Sequence, residues 1–256
     1  MSFQGQGVLI TGAGDSVGRV IAEKFLAAGA KVHICDVREE AVQDTLEANP
    51  AMRGTVCNVG IEDDVAQLFN EAFSGMGKVD VLVNCVGIAG PHAALEEISN
   101  EDWQTTLQVN VTGMFYTMKH AIPGMKERRF GSIINFSSAS TITGLPNRAA
   151  YVVSKYAVEG LTKNTARELG PYNVRCNAIL PGAIDNKRLA MVLERVARKK
   201  GISLEEFETE MLRYNSMRTK IAPEELANAV LFLASKKAPH ITGVMFEVSG
   251  GHEWEE

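Results

Sequence analysis

Seven short runs rich in Val, Ile, Leu and Cys alternate along this chain with longer amphipathic stretches. The runs lack strict polar alternation, which is typical of strands buried on both faces. They cover Gly7–Thr11, Lys31–Asp36, Arg53–Asn58, Val79–Asn84, Gly131–Ser137, Val174–Leu180 and Val244–Ser249. Helical patterns lie between them, including Arg19–Ala28, Asp63–Phe73, Glu101–Lys126, Tyr151–Leu169 and Glu224–Leu233. Such alternation predicts an α/β fold, a doubly wound parallel sheet of about seven strands with helices on both faces.

One segment departs from this alternation, between the last two predicted strands. Residues 183–220 contain polar helical pieces and no strand-like run before the chain resumes at Ile221. An insertion on the side where strands end is positioned to cover a substrate, so we expect a helical lid there. No repeat, low-complexity tract or linker divides the sequence, and we predict one domain over residues 1–256.

The overall composition argues against several classes of partner. A net charge of −5 gives no general attraction to nucleic acid or to anionic membranes. The first residues show no signal-peptide pattern, and no apolar run approaches the ~18 residues of a membrane helix. The four cysteines (Cys35, Cys57, Cys85 and Cys176) have no metal-ligand spacing. We therefore expect a cytoplasmic protein with reduced thiols, no metal, and neither nucleic acid nor membrane as a partner.

A glycine-rich turn follows the first predicted strand directly. It reads Thr11-Gly12-Ala13-Gly14-Asp15-Ser16-Val17-Gly18 and opens onto a helix. Glycines let backbone N–H groups approach a pyrophosphate at a helix N-terminus, where partial positive charge favours an anion. The turn departs from G-x-G-x-x-G because Val17 occupies the last glycine position. Taken alone, it fits a dinucleotide site and a purely structural turn equally well.

An acidic residue at the end of the second strand favours the dinucleotide site. Asp36 follows the glycine-rich turn at a spacing where a carboxylate can accept hydrogen bonds from the ribose hydroxyls of a nucleotide. Asp15 lies within the turn, so a ribose 2′-phosphate would face two carboxylates, which Arg38 would offset only in part. This arrangement predicts NAD (NADH) rather than NADP as the cofactor.

A tyrosine and a lysine lie one helical turn apart and are the candidate reactive pair. Tyr151 and Lys155 fall in an Ala-rich helical segment, and their spacing puts both side chains on one face. A nearby ammonium stabilises a phenolate, which makes a tyrosine usable as a general acid or base at neutral pH. The spacing itself occurs by chance on many helices. Its context favours chemistry, because Ser138 closes a predicted strand and ligands gather beyond the carboxyl ends of such strands.

Taken together, these residues resemble the short-chain dehydrogenase/reductase family along nearly the whole chain. Six short motifs carry the resemblance in order: Thr11-Gly12…Gly18, Asn84-Cys85-Val86-Gly87, Asn110, Ser138, Tyr151-x-x-x-Lys155 and Pro181-Gly182. The resemblance implies a catalytic tetrad of Asn110, Ser138, Tyr151 and Lys155. In it the asparagine holds a water in a proton relay, the serine orients substrate, the tyrosine is acid or base, and the lysine also grips the nicotinamide ribose. It also implies a homotetramer packed partly through the long helices that contain Asn110 and Tyr151.

The family pattern also gives a set of expected cofactor contacts. They are Gly12, Asp15, Ser16, Val17, Gly18, Asp36, Asn58, Val59, Asn84, Gly87, Tyr151, Lys155, Pro181, Gly182, Ile184 and Asn186. Three of these depart from the pattern: Ser16 replaces a glycine, Asn58 replaces an aspartate and Asn186 replaces a threonine. Cys85 and Val86 also change the segment after the fourth strand. The Ser16 hydroxyl can bond a phosphate, Asn58 can still bond adenine, and Asn186 can bind the nicotinamide carboxamide.

The substrate is not encoded as plainly as the reaction. Basic lid residues suit an anionic substrate group if they point inward, and otherwise form the solvated face of helices; they are Lys187, Arg188, Arg195, Arg198, Lys199, Lys200, Arg213, Arg218 and Lys220. Met191, Leu193 and Met211 can equally line an apolar pocket. We expect hydride transfer between NAD(H) and a small secondary alcohol, ketone or hydroxy acid. An NADPH-dependent ketoreductase and a non-catalytic NAD(H)-binding regulator are the alternatives.

Overall fold

A computed structural model describes residues 1–252 of the chain, with the backbone alone for Arg188. Within these residues seven strands form one sheet: β1 (Gly7–Thr11), β2 (Lys31–Asp36), β3 (Arg53–Val56), β4 (Val81–Asn84), β5 (Gly131–Phe136), β6 (Val174–Pro181) and β7 (Met245–Val248). Their order is β3-β2-β1-β4-β5-β6-β7, and every neighbouring pair is parallel. The predicted doubly wound parallel sheet is confirmed.

Burial on both faces explains why the central strands are mostly apolar. Every residue of β1, β4 and β5 is buried, so neither face needs polar side chains. The third strand ends earlier than predicted, at Val56 instead of Asn58. The N–H of Gly60 donates to the side chain of Asn58 (3.0 Å), a local turn that takes the chain out of the sheet.

Ten α-helices accompany the strands in the residues that the structure describes. They are α1 (Ser16–Ala27), α2 (Glu39–Ala48), α3 (Glu62–Met76), α4 (Asn100–Leu107), α5 (Gly113–Arg128), α6 (Ser140–Thr143), α7 (Ala149–Leu169), α8 (Lys187–Lys200), α9 (Leu204–Leu212) and α10 (Pro223–Ala234). The predicted lid is helical, consisting of α8 and α9. Between residues 1 and 252 no helix combines the length and apolarity needed to cross a membrane.

Two of the helix starts follow the signals in the sequence. The Ser99 hydroxyl accepts a hydrogen bond from the N–H of Asp102 (3.0 Å) and caps α4. Pro223 is the first residue of α10, where its missing N–H removes no helical bond. By contrast, the long helix predicted over Glu101–Lys126 is divided, because one turn of π-helix at Gln108–Thr112 separates α4 from α5.

The apolar core lies in two layers on opposite faces of the sheet. One cluster joins the sheet to α1 and α10, and the other joins it to α3, α5 and α7. The strand order reverses between β1 and β4, so the loops after these two strands diverge to opposite faces. The crevice left at such a reversal, beyond the carboxyl ends of the strands, is where ligands bind in open α/β sheets.

Candidate active site

The glycine-rich turn lies in this crevice, between β1 and α1. Gly12 has a φ of 65°, in the left-handed region that glycine adopts freely. A Cβ atom on Gly18 would lie 2.2 Å from the carbonyl oxygen of Gly12, so glycine is required for the close return of the helix. Asp15 caps α1 by accepting a bond from the N–H of Ser16 (2.6 Å). The turn therefore presents the N-terminus of α1, with Val17 buried beneath it, to the crevice.

Asp36 ends β2 and is held in place by two neighbours. One carboxylate oxygen accepts the N–H of Gly14 (3.2 Å), and the other accepts the N–H and Nε of Arg38 (3.1 and 3.2 Å). The Arg38 guanidinium also lies 3.7 Å from the carboxylate of Asp15. The hydrogen bond to Asp36 raises the pKa of Arg38 above its usual value. Arg38 thus sits between the two predicted carboxylates, with its side chain 57% exposed.

Several other predicted cofactor residues use their side chains within the protein. The Asn58 side chain closes its own turn through Gly60, and Val59 is buried. Asn84 donates to Asn135 on β5 (2.9 Å) and accepts from Thr117 on α5 (2.7 Å), and both partners are buried. A cofactor contact at Asn84 is therefore left to its backbone.

The carboxyl end of β6 supplies the opposite wall of the crevice. A Cβ atom on Gly182 would lie 2.7 Å from the Cα of Ser249, so the segment after Pro181 passes close to the end of β7. Ile184 forms an isolated parallel bridge with Ile221 at the base of the lid. Asn186 caps α8 by accepting the N–H of Leu189 (2.8 Å).

Tyr151 and Lys155 lie together at the end of β5. The Lys155 ammonium is 5.5 Å from the centroid of the Tyr151 ring and donates to the carbonyl of Phe136 (2.8 Å), the last residue of β5. Lys155 is buried and Tyr151 is half-buried. Ser138, two residues beyond the strand, is half-buried, and its hydroxyl accepts the N–H of Ser140 (3.1 Å). The fold thus brings a phenol, an ammonium and a hydroxyl to one strand end.

Gly87 lies close against these groups. A Cβ atom at this position would lie 3.1 Å from the Lys155 ammonium and 3.6 Å from the side-chain oxygen of Asn110. The absence of a side chain therefore lets the loop after β4 approach the ammonium closely. The ammonium, with one described bond to the Phe136 carbonyl, keeps donors that suit the ribose of a nicotinamide nucleotide.

Asn110 is fully buried in the π-helical turn and acts as a clamp. Its amide oxygen accepts the N–H of Ile88 (2.8 Å), while its amide nitrogen donates to the Ile88 carbonyl (2.9 Å) and the Ser154 hydroxyl (2.9 Å). Ser154 in turn donates to the carbonyl of Tyr151 (2.6 Å). Asn110 thereby joins the loop after β4 to α7, and Ser154 is a connecting residue that no sequence pattern indicated.

The last described residues add a further wall that was not predicted from the sequence. His252 contacts the Thr143 hydroxyl through Nε2 (3.0 Å) and the Asn215 side-chain oxygen through Nδ1 (3.1 Å). Thr143 belongs to the segment after Ser138, and Asn215 follows the lid helices. A histidine near a C-terminus carries no sequence pattern that would reveal this role.

The lid cations are engaged in part with lid carboxylates. Lys200 pairs with Glu210 (2.9 Å), and Lys220 pairs with Glu208 (2.7 Å) and Asp185 (3.2 Å). The side chain of Arg188 lies outside the described part of the structure. These pairs argue against an anion-binding role for Lys200 and Lys220. Lys200 lies on the exposed side of α8, whereas Lys220 is largely covered and lies outside the lid helices.

Comparison with known proteins identifies the family. The model of the family described as Enoyl-(Acyl carrier protein) reductase matches residues 12–253, which is most of the chain. The chain belongs to the short-chain dehydrogenase/reductases. The predicted resemblance is confirmed, and this dehydrogenase/reductase is an oxidoreductase of a family that binds nicotinamide cofactors.

Relatives of this dehydrogenase/reductase match it from end to end. An uncharacterized oxidoreductase of Thermotoga maritima is 37% identical over 253 residues, covering 98% of each chain. A 3-oxoacyl-(acyl-carrier-protein) reductase, FabG, of Aquifex aeolicus is 34% identical and also covers 98% of each. The crystal structure of an NAD⁺-bound xylitol dehydrogenase superposes with a TM-score of 0.91 at 29% identity, covering 98% of this chain and 100% of that one. These relatives differ in what their names say they act on, so similarity alone does not give the substrate.

Proposed function

We propose that this chain catalyses hydride transfer between NAD(H) and a small secondary alcohol or ketone, or a hydroxy acid. The observation that carries the proposal is the grouping of Tyr151, Lys155 and Ser138 at the end of β5, with Gly87 close to the Lys155 ammonium. A dinucleotide held along the crevice from the glycine-rich turn to these side chains would supply or accept the hydride. The likeness to an NAD⁺-bound xylitol dehydrogenase supports this assignment.

Tyr151 is the proposed general acid or base. Its ring lies on the face of α7 that carries the Lys155 ammonium, which is 5.5 Å from the ring centroid. In this role the phenol gives its proton to a developing alkoxide in reduction and takes it from the alcohol in oxidation. Ser138 donates its hydroxyl hydrogen to the same substrate oxygen and fixes its direction.

Lys155 and Asn110 hold the proton path in place. The bond from Lys155 to the Phe136 carbonyl uses one of the three ammonium donors, which leaves donors for the nicotinamide ribose. Because both ends of the Asn110 amide are engaged with Ile88 and Ser154, we assign the relay water to its backbone carbonyl. A π-helical turn supports this assignment, since such turns disturb regular backbone bonding and recur at functional sites.

Asp36 is the proposed determinant of the preference for NAD. Its carboxylate lies at the end of β2, next to Gly14, where it can accept the ribose hydroxyls of the adenosine half. A 2′-phosphate would instead meet the carboxylates of Asp36 and Asp15. The exposed Arg38 favours the second candidate, an NADPH-dependent ketoreductase, because its guanidinium can turn from these carboxylates to a phosphate.

Two experiments test the function and the cofactor separately. Tyr151→Phe should abolish turnover of a panel of alcohols and ketones while NADH binding stays within about twofold, because only the hydroxyl is lost; unchanged turnover would refute the acid/base role. For the cofactor, kcat/KM is measured with NADH and NADPH in the wild type and in Asp36→Ser. The wild type should prefer NADH, and the variant should lose about 1–3 kcal/mol of that preference. A wild-type preference for NADPH would favour the second candidate.

A non-catalytic NAD(H)-binding regulator would give a different result in the same assays. It would bind NADH without turning over any member of the panel, and Tyr151→Phe would change nothing. The hydroxyl pair of Ser138 and Tyr151 argues against this alternative, because binding a dinucleotide requires neither hydroxyl.

We also propose that the enzyme is a homotetramer with only small molecules as ligands. Exposed apolar side chains on α5 and α7 support self-association, namely Phe115, Val153 and Tyr156, which are 47%, 43% and 53% exposed. Light scattering coupled to size-exclusion chromatography measures the mass directly, and a monomer of 27.8 kDa would contradict the proposal.

A further inference from the structure

Two residues that depart from the family pattern contact each other across the crevice. Ser16 stands where the family has a glycine, and Asn186 stands where it commonly has a threonine. The side-chain nitrogen of Asn186 donates to the hydroxyl oxygen of Ser16 (3.1 Å), although the residues are 170 positions apart. The contact joins the turn that begins α1 to the N-cap residue of α8, the first helix of the lid.

The second bond of Asn186 fixes the direction of this contact. Its side-chain oxygen accepts the N–H of Leu189 (2.8 Å), so the amide nitrogen is the end that faces Ser16. Ser16 is consequently the acceptor, and its own O–H can donate in the other direction. The glycine-rich turn lies on that side, where the family pattern places the pyrophosphate.

Ser16 has a backbone conformation that glycine adopts more readily than serine does. Ser16 has a φ of 52°, in the left-handed region that favours glycine over any residue with a Cβ. A glycine there would be relaxed but would have no group to bond the lid. The two departures therefore complement each other, because Ser16 supplies the acceptor and Asn186 the donor of one bond.

We propose that Ser16 and Asn186 form a latch, a single positioning unit that holds the lid helix α8 against the dinucleotide turn and slows cofactor release. The proposal rests on the proposed function for its cofactor. A phosphate that accepts the Ser16 O–H polarises the hydroxyl and strengthens the bond it accepts from Asn186. Cofactor binding at the glycine-rich turn thereby strengthens the attachment of the first turn of α8.

A double-mutant cycle tests whether the two residues act as one unit. The variants are Ser16→Ala, Asn186→Ser and the double mutant, and serine at position 186 keeps an oxygen that can cap α8. The first readout is the rate of tryptic cleavage within the lid in cofactor-free protein. Each single variant should accelerate cleavage about two- to tenfold, and the double mutant no more than the larger single effect.

A matched control uses a cap elsewhere in the lid. Ser203 caps α9 by accepting the N–H of Glu206 (3.1 Å), so Ser203→Ala loosens the lid without touching the latch. Its effect should multiply with that of Ser16→Ala. If the effects of Ser16→Ala and Asn186→Ser also multiply, or if neither variant changes cleavage, the latch is refuted. Ser16→Gly serves in the same cycle if the alanine variant does not fold, because glycine suits the backbone conformation.

The second readout is the dissociation rate of the nicotinamide nucleotide that the wild type binds, measured by stopped-flow fluorescence. Both single variants should raise this rate, again without multiplying in the double mutant. Coupled cleavage with an unchanged dissociation rate would overturn the role in cofactor release. Absence of NADH binding by the wild type would instead count against the proposed cofactor, and the cleavage cycle would still decide the latch.

Discussion

Replacing His33 with glutamine should remove part of the sensitivity of this fold to acid. His33 lies on β2, only 2% exposed, and burial lowers its pKa from 6.5 to about 4, against a smaller opposing effect of Glu71. Nearby Arg53 also lowers the pKa. Thr55 donates to Glu71, so its oxygen accepts the Nε2–H of His33 (2.8 Å). The other ring nitrogen is buried without a partner among residues 1–252, and a proton there would have no acceptor.

The magnitude follows from linkage between protonation and unfolding. The unfolded chain binds a proton with a pKa near 6.5, whereas the folded chain binds it only near 4. Between these values the unfolded state holds more protons, so the stability contributed by neutral His33 is complete above pH 6.5 and falls as the pH drops. This difference in pKa corresponds to about 3.4 kcal/mol in total, of which about 2 kcal/mol is lost by about pH 5.

Urea unfolding followed by circular dichroism measures the effect, at pH 7.5 and pH 5 and at one protein concentration. Glutamine can place an amide N–H near the position of Nε2, so His33→Gln keeps the bond to Thr55 but does not titrate. Any packing penalty of the variant is the same at both pH values. The variant should therefore lose about 2 kcal/mol less than the wild type on acidification. Equal losses in the two proteins would refute the assignment of a buried neutral histidine.

Three further predictions concern stability and use the same unfolding assay. Gly18→Ala should cost about 2 kcal/mol or more, because the new Cβ would lie 2.2 Å from the Gly12 carbonyl oxygen. As a control, Gly160→Ala, in open space on α7, should stabilise the protein by about 0.5–1 kcal/mol. The reverse order of the two effects would show that the close approach at Gly18 does not require glycine. Asp80→Asn should cost about 1–2 kcal/mol, because it removes the buried carboxylate that Lys78 and Arg128 share while both cations stay partly exposed to water; unchanged stability would show that these two ion pairs add nothing. Arg175→Met should cost about 1–3 kcal/mol by freeing carbonyls at the end of α10, and an unchanged midpoint would contradict that role.

The regular part of this fold could be predicted because its signals are local. All seven strands were found from their apolar runs. The five inner strands are almost wholly buried, which leaves no polar alternation to confuse the pattern, whereas the edge strands β3 and β7 are partly exposed. Helix starts such as Ser99 and Pro223 were visible because capping depends on a few adjacent residues. Strand ends were less accurate, as at Val56, because a side-chain turn rather than hydrophobicity ends the strand.

The irregular part could not be predicted because it depends on tertiary contacts. The π-helical turn at Asn110 interrupts what reads as one helix from Glu101 to Lys126. It is held by bonds to Ile88 and Ser154, which come from other segments of the chain. The contacts of His252 and the bond between Ser16 and Asn186 likewise join distant segments. Both latch residues stand out in the sequence as departures from a pattern, but nothing in the sequence shows that they meet.

The buried side chains of the candidate site and the walls around them come from different parts of the structure. Tyr151 and Lys155 are held by a bond to the end of β5 and by the Asn110–Ser154 clamp, in which Asn110, Ser154 and Lys155 are buried. The walls around them come from the lid, the segment after Ser138 and the chain near His252, which are joined by side-chain bonds at their edges. Changes in these walls can therefore alter the candidate site without moving the side chains proposed to transfer the proton. In keeping with this arrangement, relatives whose names give different substrates are similar along the whole chain, and the proposed reaction follows from the sequence more directly than the substrate does.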